Sequence, residues 1–158
     1  MNISNLQKSA LKKTPEWKAF FAKNKQRLAK MDREILALHE EATEKFDCLE
    51  CGNCCRTLGP MILPKDVDAM ARSLRLKPSD FIEKYLRTDN DKDLVFKQIP
   101  CPFLGADNYC SIYENRPKAC REYPHTDRKK FYQIYALSMK NAQTCPIVFQ
   151  VLEKLKAM

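Results

Sequence analysis

The stretch Cys48-Leu49-Glu50-Cys51-Gly52-Asn53-Cys54-Cys55 decides how the rest of this chain is read. A single buried cysteine is often no more than a small apolar side chain. Four within eight residues cannot all be core filler. The first three follow C-x2-C-x2-C, a spacing that lets successive thiolates converge on one centre while a further ligand comes from elsewhere. Gly52-Asn53 supplies turn-permissive residues, so a tight loop is expected here. Cys55, next to Cys54, points away from its neighbour and serves a second centre or bridges two ions.

Working outward, four more thiols follow, at Cys101, Cys110, Cys120 and Cys145. The candidate metal ligands are therefore Cys48, Cys51, Cys54, Cys55, Cys101, Cys110, Cys120 and Cys145. Eight thiols suit two four-ligand sites, or one site with structural cysteines. An iron–sulfur cluster and zinc both accept such donors. His125, five residues beyond Cys120, is a weaker candidate, and His39 reads as a surface or packing residue. No Cys/His pairing suggests a thiol nucleophile with its base, and enzymatic activity is left open.

Many cysteines mean disulfides in an oxidising compartment or metal in a reducing one. The beginning MNISNLQKSALKKTPEWK has no apolar run of signal-peptide length. No stretch approaches the roughly 20 apolar residues of a membrane span. A cytoplasmic chain with reduced thiols is the expectation, and metal the better explanation of them.

The 158 residues carry a net charge of +8, unevenly spread. Residues 1–30 hold eight Lys/Arg against the single acid Glu16, whereas residues 31–158 are nearly balanced. The division expected is a basic N-terminal segment and long helix over 1–46 and a cysteine-cluster domain over 47–158. Within 1–46, residues 1–13 look loosely ordered. Thr14-Pro15-Glu16 reads as a helix start. Trp17, Phe20, Phe21, Leu28, Met31, Ile35, Leu38, Ala42 and Phe46 then form one apolar stripe. Continuous to Lys45, that helix would be about 45 Å long. Its stripe must be covered by the cysteine domain or by a second chain, so a dimer through this helix is one expectation. Basic residues 8–30, with Trp17, Phe20 and Phe21 interleaved, suggest a protein or nucleic-acid partner.

Beyond the cysteine run, Pro64–Leu74 has helical spacing, and Lys77-Pro78-Ser79-Asp80 opens a helix through Leu86 with Phe81, Ile82, Tyr85 and Leu86 inward. Leu94-Val95-Phe96 reads as a short strand, with Tyr109–Tyr113 as its partner. Glu114–Tyr123 reads as a helical turn, residues 128–143 fit either strand or helix, and Pro146 starts a helix through Lys156. The fold class expected is α+β, mainly helical: a small, metal-stabilised, cysteine-rich domain with a long N-terminal amphipathic helix. Arg116, Lys118 and Arg121 flank Cys120, where cations favour the thiolate. Arg116 is also placed to brace its loop through backbone carbonyls.

The pattern C-x2-C-x2-C-C, then Cys101-Pro-Phe-Leu, Cys110-Ser-Ile-Tyr and Arg116-Pro-Lys-Ala-Cys120-Arg-Glu-Tyr-Pro124, resembles the CxxCxxCC (YkgJ-type) cysteine-cluster family of zinc- or iron-chelating domains. The resemblance runs from about Cys48 to Cys145 and implies metal ions as the partners of the thiols. The larger flagellin lysine methylases resemble it in their cysteine region. With no additional substrate domain and no Gly-rich cofactor loop in this chain, methylation is not carried over.

Overall fold

A computed structural model of the chain describes residues 3–158. Its helices are α1 (Leu6–Leu28), α2 (Asp32–Lys45), α3 (Cys48–Cys51), α4 (Asn53–Thr57), α5 (Pro64–Ser73), α6 (Pro78–Tyr85), α7 (Lys118–Glu122), α8 (Tyr135–Asn141) and α9 (Pro146–Ala157), with strands β1 (Leu86–Thr88) and β2 (Leu94–Phe96) between α6 and α7. The fold is α+β and mainly helical, with a long N-terminal helix. It divides into two units, one running to Cys51 and resuming at Pro124–Met158, the other Gly52–Tyr123.

In the first unit, Leu6, Ala10, Trp17, Phe21 and Leu28 put one apolar face of α1 inside, and Ile35 and Ala42 do the same for α2. The partner surface is α9, whose Val148, Val151, Leu152 and Leu155 are all buried. Trp17 lies at the centre with no exposed surface. Its ring meets Phe149 edge-on at 5.4 Å, and its indole N–H donates to Glu153 Oε1 at 2.8 Å. That bond satisfies the one polar atom of the indole, so the whole side chain is buried without a polar penalty. Around this core Glu41 pairs with Lys45 (2.7 Å) and with Lys154 of α9. Hydrogen bonds from Lys154, then Lys45, hold the Glu41 carboxyl down at about 2.

The N-terminal segment differs from the expectation at both ends. Residues 1 and 2 lie outside the described part, but from Leu6 the chain is helical, and the start expected at Thr14 is an interior position. Leu6 and Ala10 extend the apolar stripe by two turns, and their complete burial outweighs the cap signal at Thr14. Pro15 removes one helical N–H; Thr14 Oγ1 donates to the Ala10 carbonyl at 2.8 Å beside it. Nor is the helix continuous to Lys45. After Leu28 the chain tightens through i→i−3 bonds, Lys30 N–H to Arg27 O (3.0 Å) and Met31 N–H to Leu28 O (3.2 Å). Asp32 then accepts the Lys130 and Phe131 amides at 2.7 and 3.3 Å. The stripe that could have joined two chains is thus covered within the unit. The ambiguous stretch 128–143 forms a 3-10 turn at Phe131–Ile134 and then α8.

In the second unit, α5, α6 and the β1–β2 hairpin enclose Ile62, Val67, Met70, Ala71, Phe81, Leu86, Phe96, Phe103 and Ile112. Phe103 is the hub, with Phe81, Tyr85 and Phe96 rings 6.3, 5.0 and 5.6 Å away. The strands pair antiparallel, Leu86 with Phe96, Arg87 with Val95 and Thr88 with Leu94. The partner of Leu94–Phe96 is therefore the segment after α6 and not Tyr109–Tyr113. The connection is short, and Asp89 closes it by accepting the Asp91 and Asp93 amides at 2.9 and 3.0 Å. Ile82, expected inward, is exposed; Phe81 and Leu86 are buried as expected.

Replacing Trp17 with Ala removes the central side chain of the first unit and leaves Glu153 paired with Lys13 alone. The expected cost is about 3–5 kcal/mol in denaturant-induced unfolding. A loss below about 1 kcal/mol would mean that α1 is not held by this core.

Candidate metal centre

The cysteine run is built from two helical turns where a loop was expected. Asp47 opens the first: its Oδ1 accepts the Leu49 amide at 2.8 Å and its carbonyl accepts the Cys51 amide at 3.0 Å. Cys48 and Cys51, three residues apart on α3, share a helix face. Gly52 follows in the left-handed region at φ +52°, and α4 then carries Cys54 and Cys55. Glycine takes that conformation without strain, and the atoms a side chain would meet are the ends of the Arg56 and Asn108 side chains. A Cβ on residue 52 would lie 2.6 Å from Arg56 Nη1 and 3.0 Å from Asn108 Oδ1. Arg56 and Asn108, which join by a side-chain hydrogen bond, were not singled out from the sequence.

The second unit gathers Cys55, Cys101, Cys110 and Cys120. The Cys55 carbonyl accepts the Cys101 amide at 2.8 Å. From Cys101 the chain turns so that Leu104 faces Cys110 in an antiparallel bridge, with Ser111 N–H donating to Phe103 O at 2.9 Å. Cys101 and Cys110 pack on the same apolar core. Cys120 sits on α7, where its amide donates to Pro117 O at 2.9 Å. A cavity of about 280 Å³, lined by Leu74, Tyr109, Ile112 and Tyr113 among others, reaches Cys110.

The electrostatics follow the same grouping. Burial pushes the Cys101 thiol up to about 11, and charge on Cys55 and Cys110 adds to the effect. Burial, then charge on Cys55, Cys101 and Cys110, pushes Cys120 up to about 12. Cys110 is raised by burial first, and charge on Cys55 raises it further. Cys55 goes the other way, down to about 7, because the Cys54 thiol 4.0 Å away hydrogen-bonds to it and Arg56 adds positive charge. In the first unit Cys145 is 8% exposed and is pushed up to about 11 by burial first; the Ile147 and Val148 amides of α9 oppose this, and charge on Cys48 and Cys51 adds to it.

The cations near Cys120 do not act as the sequence suggested. Arg116 is the smallest influence on Cys120, and burial overrides it. Its main work is mechanical: Nη1 donates to the Tyr113 carbonyl at 2.6 Å, and the guanidinium stacks 3.7 Å above the Tyr113 ring. His39 packs, with Nδ1 2.7 Å from Thr126 Oγ1. His125 takes a left-handed backbone conformation at φ +68°.

None of the eight cysteines is in a disulfide. Among the described residues no three His, Cys, Asp or Glu side chains already stand at the spacing of a filled single-ion shell. What is assembled is a crowd of thiols that disfavour one another's charge, and a thiophilic cation relieves that cost. The donor set fits zinc or iron. Thiols of this number and type are the donors that metal-chelating proteins use. The family model named CxxCxxCC and described as "Putative zinc- or iron-chelating domain" matches residues 47–146, and the chain belongs to that family. Comparison with curated proteins and with solved structures gave no significant match.

Substituting Gly52 with Ala forces a side chain into the left-handed region and against Arg56. The expected cost is about 1–2 kcal/mol, with reduced metal content after purification. A Gly52→Ala protein equal to the parent in both unfolding and metal content would show that the turn between α3 and α4 is not a constraint.

Proposed function

We propose that this chain is an iron–sulfur protein with a redox or accessory role, working in the cytoplasm where thiols stay reduced. Its ligands are the eight cysteines: Cys55, Cys101, Cys110 and Cys120 form one set, with Cys54 beside Cys55, and Cys48, Cys51 and Cys145 belong to another. The observation that carries the reading is the grouping of thiols in the second unit, where the Cys101 amide is tied to the Cys55 carbonyl and Cys101 and Cys110 pack on one core. When bound, such a centre supplies one-electron chemistry. The protein's part is to hold the sulfurs, to exclude water by packing Cys101 and Cys110 on the apolar core, and to offset thiolate charge with Arg56. Anaerobic purification followed by visible absorption and analysis of iron, acid-labile sulfide and zinc tests it. Iron and sulfide with broad visible absorption are expected. A colourless protein with stoichiometric zinc would overturn the iron–sulfur assignment in favour of a zinc-stabilised interaction module.

The distribution of charge favours that second reading as far as a partner is concerned. Lys8, Lys12, Lys18, Lys23, Lys25 and Lys30 are exposed, and no salt bridge among the described residues engages them. Trp17 and Phe21 are buried and so are not available to stack on bases. A nucleic-acid partner would therefore be held through its phosphates, without sequence preference. Changing Lys8, Lys12 and Lys23 to Glu should abolish binding of an oligonucleotide in fluorescence anisotropy, and the parent's affinity should fall steeply with salt. Equal binding by parent and variant would remove this partner.

A further inference from the structure

Asp66 is 3% exposed and belongs to no cysteine motif. A buried carboxylate is costly unless its oxygens are engaged. Both oxygens of Asp66 are. Oδ2 accepts the Leu63 amide at 3.1 Å, which closes the first turn of α5. Oδ1 accepts the amide of Lys118, the first residue of α7, at 3.1 Å, and the Arg121 guanidinium approaches the same oxygen at 3.8 Å. The side chain thus ties the start of one helix, which packs in the apolar core through Val67, Met70 and Ala71, to the start of another that carries Cys120 two residues on. Negative charge at the N-terminus of α7 also complements the unsatisfied amides there. Arg121 extends the brace by donating to the Arg116 carbonyl.

We infer that Asp66 is the positioning residue that aims Cys120 into the thiol set with Cys55, Cys101 and Cys110. It touches no thiol itself. It fixes a turn of this unit that has little core of its own, since no residue of α7 is fully buried, as is also true of α4. The inference rests on the ligand set proposed above, and it adds how one member is presented.

Two variants test it. Asp66→Asn keeps the size and one acceptor oxygen but loses the charge and one of the two amide bonds. Lys118→Pro removes the amide donor, together with the exposed Lys118–Glu122 ion pair: residue 118 is the first helical position, where proline is tolerated, and Pro117 before it is already extended at ψ 154°. Both variants should release metal to a competing chelator with an affinity lowered about ten- to a hundredfold, as for other outer partners of metal ligands. In peptide-resolved alkylation Cys120 should show the largest rise in reactivity among the second unit's thiols, while Cys48 and Cys145 react as they do in the parent. Rescue of Asp66→Asn towards the parent by Asp66→Glu is not expected, because the longer side chain displaces α7. Unchanged chelator competition with an unchanged alkylation pattern would overturn the inference, and so would an equal rise in reactivity at all eight thiols, the mark of a general loss of stability. If Asp66→Asn fails to fold, Lys118→Pro decides alone. Alkylation of the metal-free protein separates the two claims: a selective rise at Cys120 there supports the positioning role even if the parent holds no metal.

Discussion

Thiols crowded together away from water cannot all carry charge, and that constraint shapes this protein. Cys101, Cys110 and Cys120 each resist ionisation because of burial first, and charge on neighbouring thiols adds to it. The eight cysteines form no disulfide, and a thiophilic cation is what would let thiols so placed carry charge together. Membership of a zinc- or iron-chelating family agrees with that chemistry, which stands on physical grounds of its own.

The two units meet the need for a rigid frame differently. The first is held by helices packed round a buried tryptophan, whose single polar atom is satisfied by Glu153. The second is smaller and relies on one aromatic hub, Phe103, and on short polar clasps: Asp89 in the hairpin, Asp66 between α5 and α7, and Arg56 with Asn108 beside the glycine turn. The Asp89 and Asp66 clasps join backbone amides to side chains, so they set the direction of a short segment at little cost in apolar area. That suits a unit in which Cys54, Cys55 and Cys120 sit on turns too short to own a core.

Much of the local structure was legible before any fold was known. The helices opened by Pro64, Pro78 and Pro146 begin where proline at a first helical position predicts. The errors share a physical origin. Thr14-Pro15 carries a genuine cap signal, yet Leu6 and Ala10 upstream found a surface to be buried against. The break after Leu28 depends on Asp32 meeting amides almost a hundred residues away. Tyr109–Tyr113 has strand-like composition, but Leu86–Thr88, closer to Leu94 along the chain, makes the hairpin, and Cys110 bridges to Leu104. In each case a propensity read over a few residues lost to burial or to a hydrogen bond made outside the segment.

From its amino acids alone this protein declared its donor chemistry, because thiol identity and C-x2-C spacing are local properties that survive any fold. It also declared the helix starts at Pro64, Pro78 and Pro146, since a proline at the first helical position acts on its own neighbours. The grouping of thiols was decided only in three dimensions. Cys55 joins Cys101 through a backbone hydrogen bond across 46 positions of sequence, and Cys120 is turned by a carboxylate that no cysteine motif contains. Such pairings depend on which surfaces bury one another, and that is a property of the packed chain and not of any segment within it.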